Sequence, residues 1–173
     1  NLDGMAILGG QALGLATITV VGQCVGAGDY AQARRYNRKL MIISWLLIAA
    51  SVAAILTSLP LLLNLYNISD EARVLSAQLV RLHNIPAIAL WCLSFTLPNT
   101  LRAAGDARFT MVVSIVSMAV FRIGFSVVLG IWMGLGAIGV WIAMDIDWVC
   151  RVICFVARYF SGAWTRKYQN YQA

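Results

Sequence analysis

The stretch LMIISWLLIAASVAAILTSLPLLLNLY, residues 40–66, decides the fold class of this chain. No charged residue lies between Lys39 and Asp70. A helix rises about 1.5 Å per residue and therefore needs about 20 apolar residues to cross about 30 Å of hydrocarbon. This stretch is long enough, and it predicts a helix that spans a lipid bilayer.

The sequence on either side repeats this pattern. Four further apolar blocks cover residues 4–27, 83–101, 109–131 and 136–157. None shows the alternation over about ten residues that is typical of a strand in a membrane β-barrel. The sequence therefore predicts an all-α, polytopic membrane helix bundle with about five transmembrane helices and with the lipid bilayer as its surroundings.

The composition agrees with a protein embedded in a membrane. Hydrophobic residues make up 61% of the 173 residues and charged residues 12%, whereas about a quarter of the residues are charged in ordinary globular proteins. The 13 basic and 7 acidic residues are too few to cover a soluble domain. The net charge of +6 comes from basic clusters between apolar blocks, so nucleic acid is not a predicted partner.

The basic clusters predict the orientation in the membrane. Basic residues are in excess in the connections 28–39 and 102–108 and in the C-terminal tail (Arg158, Arg166 and Lys167). By the positive-inside rule, we expect these three regions to be cytoplasmic. The first segment would then start outside, and the chain begins without an initiator Met or a signal peptide. We therefore expect the C-terminal part of a longer protein.

Three charged side chains lie inside the last two apolar blocks: Arg122, Asp145 and Asp147. Antiparallel neighbouring helices would place them at similar depth, where an ionised residue costs at least about 2.5 kcal/mol on insertion scales. Side chains two positions apart on a helix differ in direction by about 200°, so the two aspartates cannot both face Arg122. Arg151, one turn beyond Asp147, is a second possible partner for that residue.

These charges allow two interpretations. In the first, a fixed network between Arg122 and an aspartate locks the last two helices together. In the second, the less satisfied carboxylate exchanges a proton or binds Na⁺. Arg122, Asp145 and Asp147 are therefore candidates for an ion pathway.

The third block carries prolines and polar residues. Pro86 and Pro98 each interrupt the helical hydrogen-bond ladder and leave carbonyl groups free near Asn84 and Asn99. Broken helices at membrane depth often line transporter cavities. The prolines are candidate hinges and the two asparagines candidate site residues, although a structural kink explains them equally well. We expect His83 near the outer interface, solvated or capping a helix.

Small residues recur in the first block. Gly10 and Gly14, and likewise Gly22 and Gly26, are four residues apart and share a helix face. Such pairs allow close approach of another helix, and a glycine-rich helix can also bend.

No motif predicts an enzyme. Residues 134–139 fit the pattern G-x-G-x-x-G, but they follow a membrane helix instead of a strand and predict an external turn. Cys150 and Cys154 share a helix face without a His or carboxylate at metal-ligand spacing. A nucleophile, metal set or pair of acids near an interface is missing from the pattern. We predict no catalytic residue, no metal and no cofactor.

Several short motifs, in order, resemble one known family. The segment Gly22-Gln-Cys-Val-Gly-Ala-Gly-Asp29, followed by Ala33-Arg-Arg35, resembles the GQ-x-x-GAGD…A-R-R loop of multidrug and toxic compound extrusion (MATE) transporters. Leu101-Arg-Ala-Ala-Gly-Asp106 is similar to a later LR-G-x-GD turn of that family. Three closing segments resemble the end of its last helix: Gly139–Ala143, Asp147–Arg151 and Gly162–Trp164.

The resemblance implies the second lobe of a twelve-helix exporter, with residues 1–173 as helices 8 to 12. Its partner would be the N-terminal lobe of the same chain. Such proteins lie in the plasma membrane, here implied to be a bacterial inner membrane. They expel small amphipathic or cationic molecules in exchange for H⁺ or Na⁺. Some members bind the cation through a carboxylate in the tenth helix, but block 83–101 has none. The candidates are then Asp145, Asp147 or a neutral ligand such as Asn99.

The resemblance also implies that this lobe forms one wall of a central cavity, lined by Gln11, Gln23, Trp91 and Asn99. Aromatic faces and a few polar groups suit lipophilic cations. Two alternatives stay open. A related lipid or polysaccharide exporter would need a cavity rich in basic residues, and only Arg122 is deeply placed. A non-transporting membrane protein is the other.

Overall fold

The computed structural model describes residues 2–65 and 69–165. Within them lie six α-helices: α1 (Leu2–Gly26), α2 (Tyr30–Leu65), α3 (Asp70–Trp91), α4 (Leu97–Ala103), α5 (Ala107–Ser117) and α6 (Gly136–Phe160). Three π-helical segments, Cys92–Thr96, Met118–Gly124 and Val127–Trp132, extend these helices. No strand occurs in the described part of the chain. The all-α prediction is confirmed.

Four helical segments are long and apolar enough to cross a membrane: Gly4–Gly26, Tyr30–Leu65, Asp70–Ala103 and Ala107–Trp132. The third is a continuous rod in which a π-helical segment joins α3 to α4. Large apolar side chains such as Leu46 and Ile131 point outward and are exposed, as a lipid-facing surface requires. Of the five predicted crossings, α6 alone is not among these four, because charged residues interrupt its apolar sequence.

Helices α2 and α3 begin well before the predicted apolar blocks, at Tyr30 and Asp70 instead of at residues 40 and 83. The predicted connections 28–39 and 102–108 are in fact short turns, after which α2 begins at Tyr30 and α5 at Ala107. Asp29 caps the start of α2, because its Oδ1 accepts a hydrogen bond from Gln32 N at 2.8 Å. The basic cluster of the first connection therefore lies in the opening turns of α2. Apolar blocks mark the hydrocarbon, whereas capping residues mark where helices end. Arg166 and Lys167 lie outside the described residues.

The chain after α1 and the chain after α4 turn in the same way. Gly28 and Gly105 have φ values of +77° and +82°, a conformation that favours glycine. The following aspartates donate backbone hydrogen bonds across the turn, Asp29 N to Cys24 O at 3.0 Å and Asp106 N to Leu101 O at 2.9 Å. This is the Schellman arrangement, in which a left-handed residue ends a helix. The two Gly-Asp motifs therefore encode one kind of turn.

Close contact between helices explains two of the four glycines of α1 that the sequence pairs, Gly10, Gly14, Gly22 and Gly26. A Cβ atom on Gly10 would lie 2.6 Å from both Ile48 and Trp91 side-chain carbons. At Gly14 it would lie 2.9 Å from Asn99 Nδ2. The close approach predicted for this pair is confirmed. For Gly22 and Gly26 it is wrong, because Gly22 has only an ordinary contact at 3.9 Å and Gly26 has none within 4 Å.

Helix α6 packs through a stripe of buried residues four positions apart: Gly139, Ala143, Asp147, Arg151 and Phe155. A Cβ on Gly139 would lie 2.7 Å from the backbone carbon of Leu129, so the two chain segments touch through their backbones. The turn predicted at 134–139 exists at its start, where Gly134 has a φ of +70°. Gly139 itself lies inside α6.

Candidate functional site

A cavity of about 470 Å³ opens between α1, the rod of α3 and α4, and α6. We term it the lobe cavity. The residues around it are aliphatic, aromatic and polar: Ile7, Gln11, Gly14, Leu15, Ile18, His83, Trp91, Phe95, Asn99, Arg102, Arg122, Met144 and Trp148. Four predicted site residues, Gln11, Trp91, Asn99 and Arg122, lie in this set.

The other predicted residues lie elsewhere. Gln23 is exposed in the last turns of α1, away from the lobe cavity. Asn84 is fully buried, and its Nδ2 donates a hydrogen bond to Val80 O at 3.0 Å within α3. Asp145 and Asp147 do not line the lobe cavity either, but Asp145 contacts His83, which does.

Asp145 is bonded to a histidine of α3. Its Oδ1 lies 2.8 Å from Nδ1 of His83, which is 1% exposed and lines the lobe cavity. Two tryptophans of α6 hold the imidazole ring, with centroid distances of 4.7 Å to Trp141 and 4.4 Å to Trp148. The pair is therefore fixed between aromatic rings, and it links α3 to α6.

The expectation that His83 is solvated at the outer interface is wrong. It rested on a helix that starts at residue 83. In the structure α3 begins at Asp70, so His83 lies about 20 Å along the helix axis. Asp70 and Glu71 in the first turn, with Ser69 as the N-cap, belong to the helix although they lie outside the apolar block.

Asp147 faces the opposite side of α6 and is completely buried. Its Oδ1 accepts hydrogen bonds from Arg151 Nε at 3.0 Å and from Ser117 Oγ. Arg151 also donates from Nη2 to Ser114 O at 3.3 Å. The second partner predicted for Asp147 is thus the one found, and the two aspartates do point in different directions.

The predicted network between Arg122 and an aspartate is wrong. In the described part of the chain Arg122 forms no salt bridge, and its buried Nε has no hydrogen-bond partner. The prediction assumed a regular α-helix up to Ile131, whereas Arg122 lies in the π-helical segment Met118–Gly124. A π-helical turn holds more residues than an α-helical turn, which changes the direction of each side chain. Arg122 points into the lobe cavity instead.

Asn99 joins two helices at the cavity wall. Its Nδ2 donates to Gly14 O at 2.9 Å, and its Oδ1 accepts from Arg102 Nη1 at 3.0 Å. Pro98 precedes it, directly after the π-helical segment Cys92–Thr96, and lacks the N–H that would bond back into that segment. Pro86 lies inside α3. That either proline acts as a hinge stays a prediction.

An aromatic surface lines the middle of the lobe cavity. Trp91 and Phe95 stack with their centroids 5.2 Å apart and their planes at 27°. Phe95 meets Trp148 edge to face at 5.7 Å. Neither Asp145 nor Asp147 is part of this surface. The arrangement can hold a flat or lipophilic molecule through ring faces, with His83, Gln11 and the amide of Asn99 as polar groups.

Metal chemistry has no support from the side chains. Among the described residues no group of three or more His, Cys, Asp and Glu is arranged to hold a metal ion. The four cysteines are free, with Cys24 and Cys92 buried and the other two half-buried.

Of the four ring-bearing residues that line the lobe cavity, sequence reasoning found only Trp91 and missed His83, Phe95 and Trp148. A signal for the first two was present. His83, Ala87, Trp91, Phe95 and Asn99 follow one another at intervals of four residues, the spacing that places side chains on one face of a helix. Trp148 follows Asp145 by three residues and shares its face of α6 for the same reason.

Comparison with known proteins gives three results. Residues 1–128 match the model of the MatE family. The chain is 28% identical over 171 residues to the uncharacterized transporter YisQ of Bacillus subtilis, covering 96% of this chain and 36% of YisQ. It is 22% identical over 160 residues to multidrug and toxin extrusion protein 1 of Oryctolagus cuniculus, covering 92% of this chain and 28% of that protein. The chain thus spans about a third of the length of these curated relatives. No solved structure matches it.

Proposed function

The chain belongs to the MatE family of membrane transporters, and from this premise we propose that it forms one lobe of a secondary antiporter. The antiporter exports small amphipathic or cationic molecules in exchange for H⁺ or Na⁺. The observation that carries the proposal is the lobe cavity, whose Trp91, Phe95 and Trp148 rings surround a small set of polar groups. Aromatic faces attract cations, and an apolar wall accepts the rest of an amphipathic molecule.

We propose that α6 is the fifth helix of the lobe to cross the membrane. The charges that interrupt its apolar sequence are paired inside the bundle, Asp145 with His83 and Asp147 with Arg151. Paired charges at membrane depth cost much less than isolated ones. Residues 1–173 then correspond to helices 8 to 12 of a longer exporter, and the N-terminal lobe would close the other side of the cavity. The two relatives, of which the chain covers about a third, support this view.

The orientation is proposed from the basic residues. The turns after α1 and α4 fall on the same side of a bundle of alternating helices. Both are flanked by basic residues, Arg34 and Arg35 at one and Arg102 and Arg108 at the other. The positive-inside rule assigns that side, and the C-terminus with it, to the cytoplasm. The membrane is then the plasma membrane, the inner membrane in a bacterium.

We propose His83 and Asp145 as the group that couples ion and substrate. When the imidazole gives up a proton, the charge at the cavity falls by one unit, which favours a cationic substrate. When it takes a proton, the cation is disfavoured. Substrate and proton thus exclude each other, as antiport requires.

Efflux from proteoliposomes tests this proposal. Proteoliposomes that contain the full-length protein are loaded with ethidium, a lipophilic cation. An imposed pH or Na⁺ gradient then drives the efflux. We expect the pH gradient to drive efflux by the unchanged protein and no efflux by His83→Gln. Arg35→Gln, which changes an exposed side chain, is the control and should keep the efflux. Efflux driven by Na⁺ alone would replace the proton mechanism with Na⁺ coupling. Indifference to both gradients would overturn antiport.

A second function has one observation in its favour. Two arginines, Arg102 and Arg122, line the lobe cavity, and basic cavities suit anionic headgroups. A related exporter of lipids or polysaccharides would use them. In the same liposomes, export of a fluorescent phospholipid without ethidium efflux would favour this alternative.

A further inference from the structure

A second opening lies where α2 begins and α6 ends. It is a groove of about 370 Å³ between α2, α6 and the rod of α3 and α4. Six of the residues that line it matter here: Arg34, Arg38, Met41, Leu93, Leu97 and Val156. We term it the arginine groove. It shares no lining residue with the lobe cavity.

The arginine groove is cationic at one end, and its other lining residues are apolar apart from Asn37 and Tyr159. Arg34 and Arg38 are four residues apart on α2 and therefore lie on one face of the helix. Met41 follows about one turn after Arg38 on the same wall, so about 10 Å of helix axis separates it from Arg34. The groove thus changes from cationic to apolar over the length of a lipid headgroup and the start of its chains.

The cationic end has no acidic partner among residues 2–65 and 69–165. Neither Arg34 nor Arg38 forms a salt bridge there, and both side chains are exposed. The guanidinium of Arg34 lies over the ring of Trp164, 5.7 Å from its centroid. This contact holds one charge in place beside the groove.

We propose that the arginine groove binds an anionic phospholipid, with its phosphodiester at Arg34 and Arg38 and one acyl chain along the aliphatic wall. Guanidinium groups form short, charge-assisted hydrogen bonds with phosphate oxygens. Basic pockets between membrane helices are known to hold acidic headgroups. A free phosphate ion would use the arginines alone, and the aliphatic wall selects the lipid as the source of the phosphate. The site does not depend on the proposed transport function.

The chain offers a matched control. Arg35 and Lys39 carry the same charge at the same spacing, one residue further along α2. One residue is about 100° of helix rotation, and neither side chain lines the groove. A general attraction between a basic helix end and anionic lipid would depend on both pairs equally. A site would depend on Arg34 and Arg38.

Native mass spectrometry of the full-length protein in detergent measures the binding. Phosphatidylglycerol and phosphatidylcholine with identical chains are titrated in parallel. We expect preferential retention of phosphatidylglycerol, reduced about fivefold by Arg38→Gln and by a further factor of about five in R34Q/R38Q. The control R35Q/K39Q should stay within about twofold of the unchanged protein. Val156→Trp, which fills the aliphatic part, should also release the lipid although both arginines remain.

Three results would overturn the proposal. One is unchanged phosphatidylglycerol binding in R34Q/R38Q. Another is an equal loss in R35Q/K39Q, which would indicate general surface charge. The third is displacement of the lipid by millimolar inorganic phosphate together with undiminished binding to Val156→Trp, which would identify a soluble phosphate as the ligand. Arg38 has no described hydrogen bond or ion pair, so Arg38→Gln keeps the test valid if the double variant does not fold.

Discussion

The two faces of α6 carry one aspartate each, Asp145 half-buried and Asp147 fully buried, and their partners differ. The Asp145 face, with Trp141 and Trp148, contacts His83 beside the lobe cavity. The Asp147 face, the stripe from Gly139 to Phe155, packs on the segments that follow α4 and pairs its carboxylate with Arg151. Only two residues separate the aspartates along the chain.

The difference lies in the partner. Asp147 is paired with a guanidinium, which binds its carboxylate together with Ser117 inside the bundle. Asp145 is paired with an imidazole, the type of side chain to which proton exchange is assigned in the proposed antiport. The Asp147 face thus holds the bundle together, and the Asp145 face carries the proposed coupling pair.

The largest effect on stability is expected on the Asp147 face. Asp147→Ala leaves Arg151 charged and unpaired inside the bundle, which should lower the free energy of unfolding by about 3–5 kcal/mol. Thermal unfolding of the full-length protein, followed by tryptophan fluorescence, measures it. The double variant D147L/R151M removes both charges and should recover most of the loss. If the single and double variants are equally unstable, the ion pair is not the cause.

A smaller loss is expected from the packing of the same face. Gly139→Ala places a methyl group 2.7 Å from the backbone of Leu129, and backbone atoms cannot rotate away. The free energy of unfolding should fall by about 2–3 kcal/mol. Gly26→Ala, where nothing lies within 4 Å of the added atom, is the matched control. Equal unfolding temperatures for the two variants would refute the close contact.

Ser117→Ala should cost less again. It removes the hydrogen bond to the Asp147 carboxylate but leaves the bond from Arg151, so the expected loss is about 1 kcal/mol. In the background of D147L/R151M the same substitution should have a smaller effect, because only the 3.3 Å hydrogen bond from Ser117 Oγ to the backbone carbonyl of residue 147 remains to be lost. A similar loss in both backgrounds would mean that Ser117 acts through packing or this backbone bond and not through the carboxylate.

The smallest effect on stability, and the largest on transport, is expected on the Asp145 face. His83→Gln can keep a hydrogen bond to Asp145, so the free energy of unfolding should change by less than about 1 kcal/mol. Efflux driven by a pH gradient should nevertheless stop, because glutamine takes up no proton. Unfolding curves and efflux rates measured on the same preparation separate the two quantities. Retained, pH-driven efflux would contradict the proposed role of His83.

Much of this contrast follows from the sequence. The 200° rotation between Asp145 and Asp147, and the spacing that brings Arg151 to Asp147, are properties of a regular helix. The close contacts at Gly10 and Gly14 follow from the absence of side chains. The partner of Asp145 could not be found in this way, because the start of α3 was taken from the apolar block and not from the cap at Ser69.

Arg122 shows a second limit on what the sequence can predict. Its expected partner depended on a helix of uniform pitch, and the π-helical segments after α5 have no signal in residue type or spacing. Irregular pitch arises from how neighbouring helices pack, so one chain read by itself cannot supply it.

The π-helical segment Cys92–Thr96 has a consequence for insertions and deletions. A π turn contains about one residue more than an α turn. Deleting one residue there would yield a regular helical turn and leave the direction of α4 relative to α3 nearly unchanged, because the extra residue is taken up within the turn. Deleting one residue from a regular α-helical part of the rod, between the start of α3 and Trp91, would instead rotate the residues before it by about 100° relative to α4. The π turn is therefore the point at which the cavity wall tolerates a change of chain length, whereas the regular turns beside it do not.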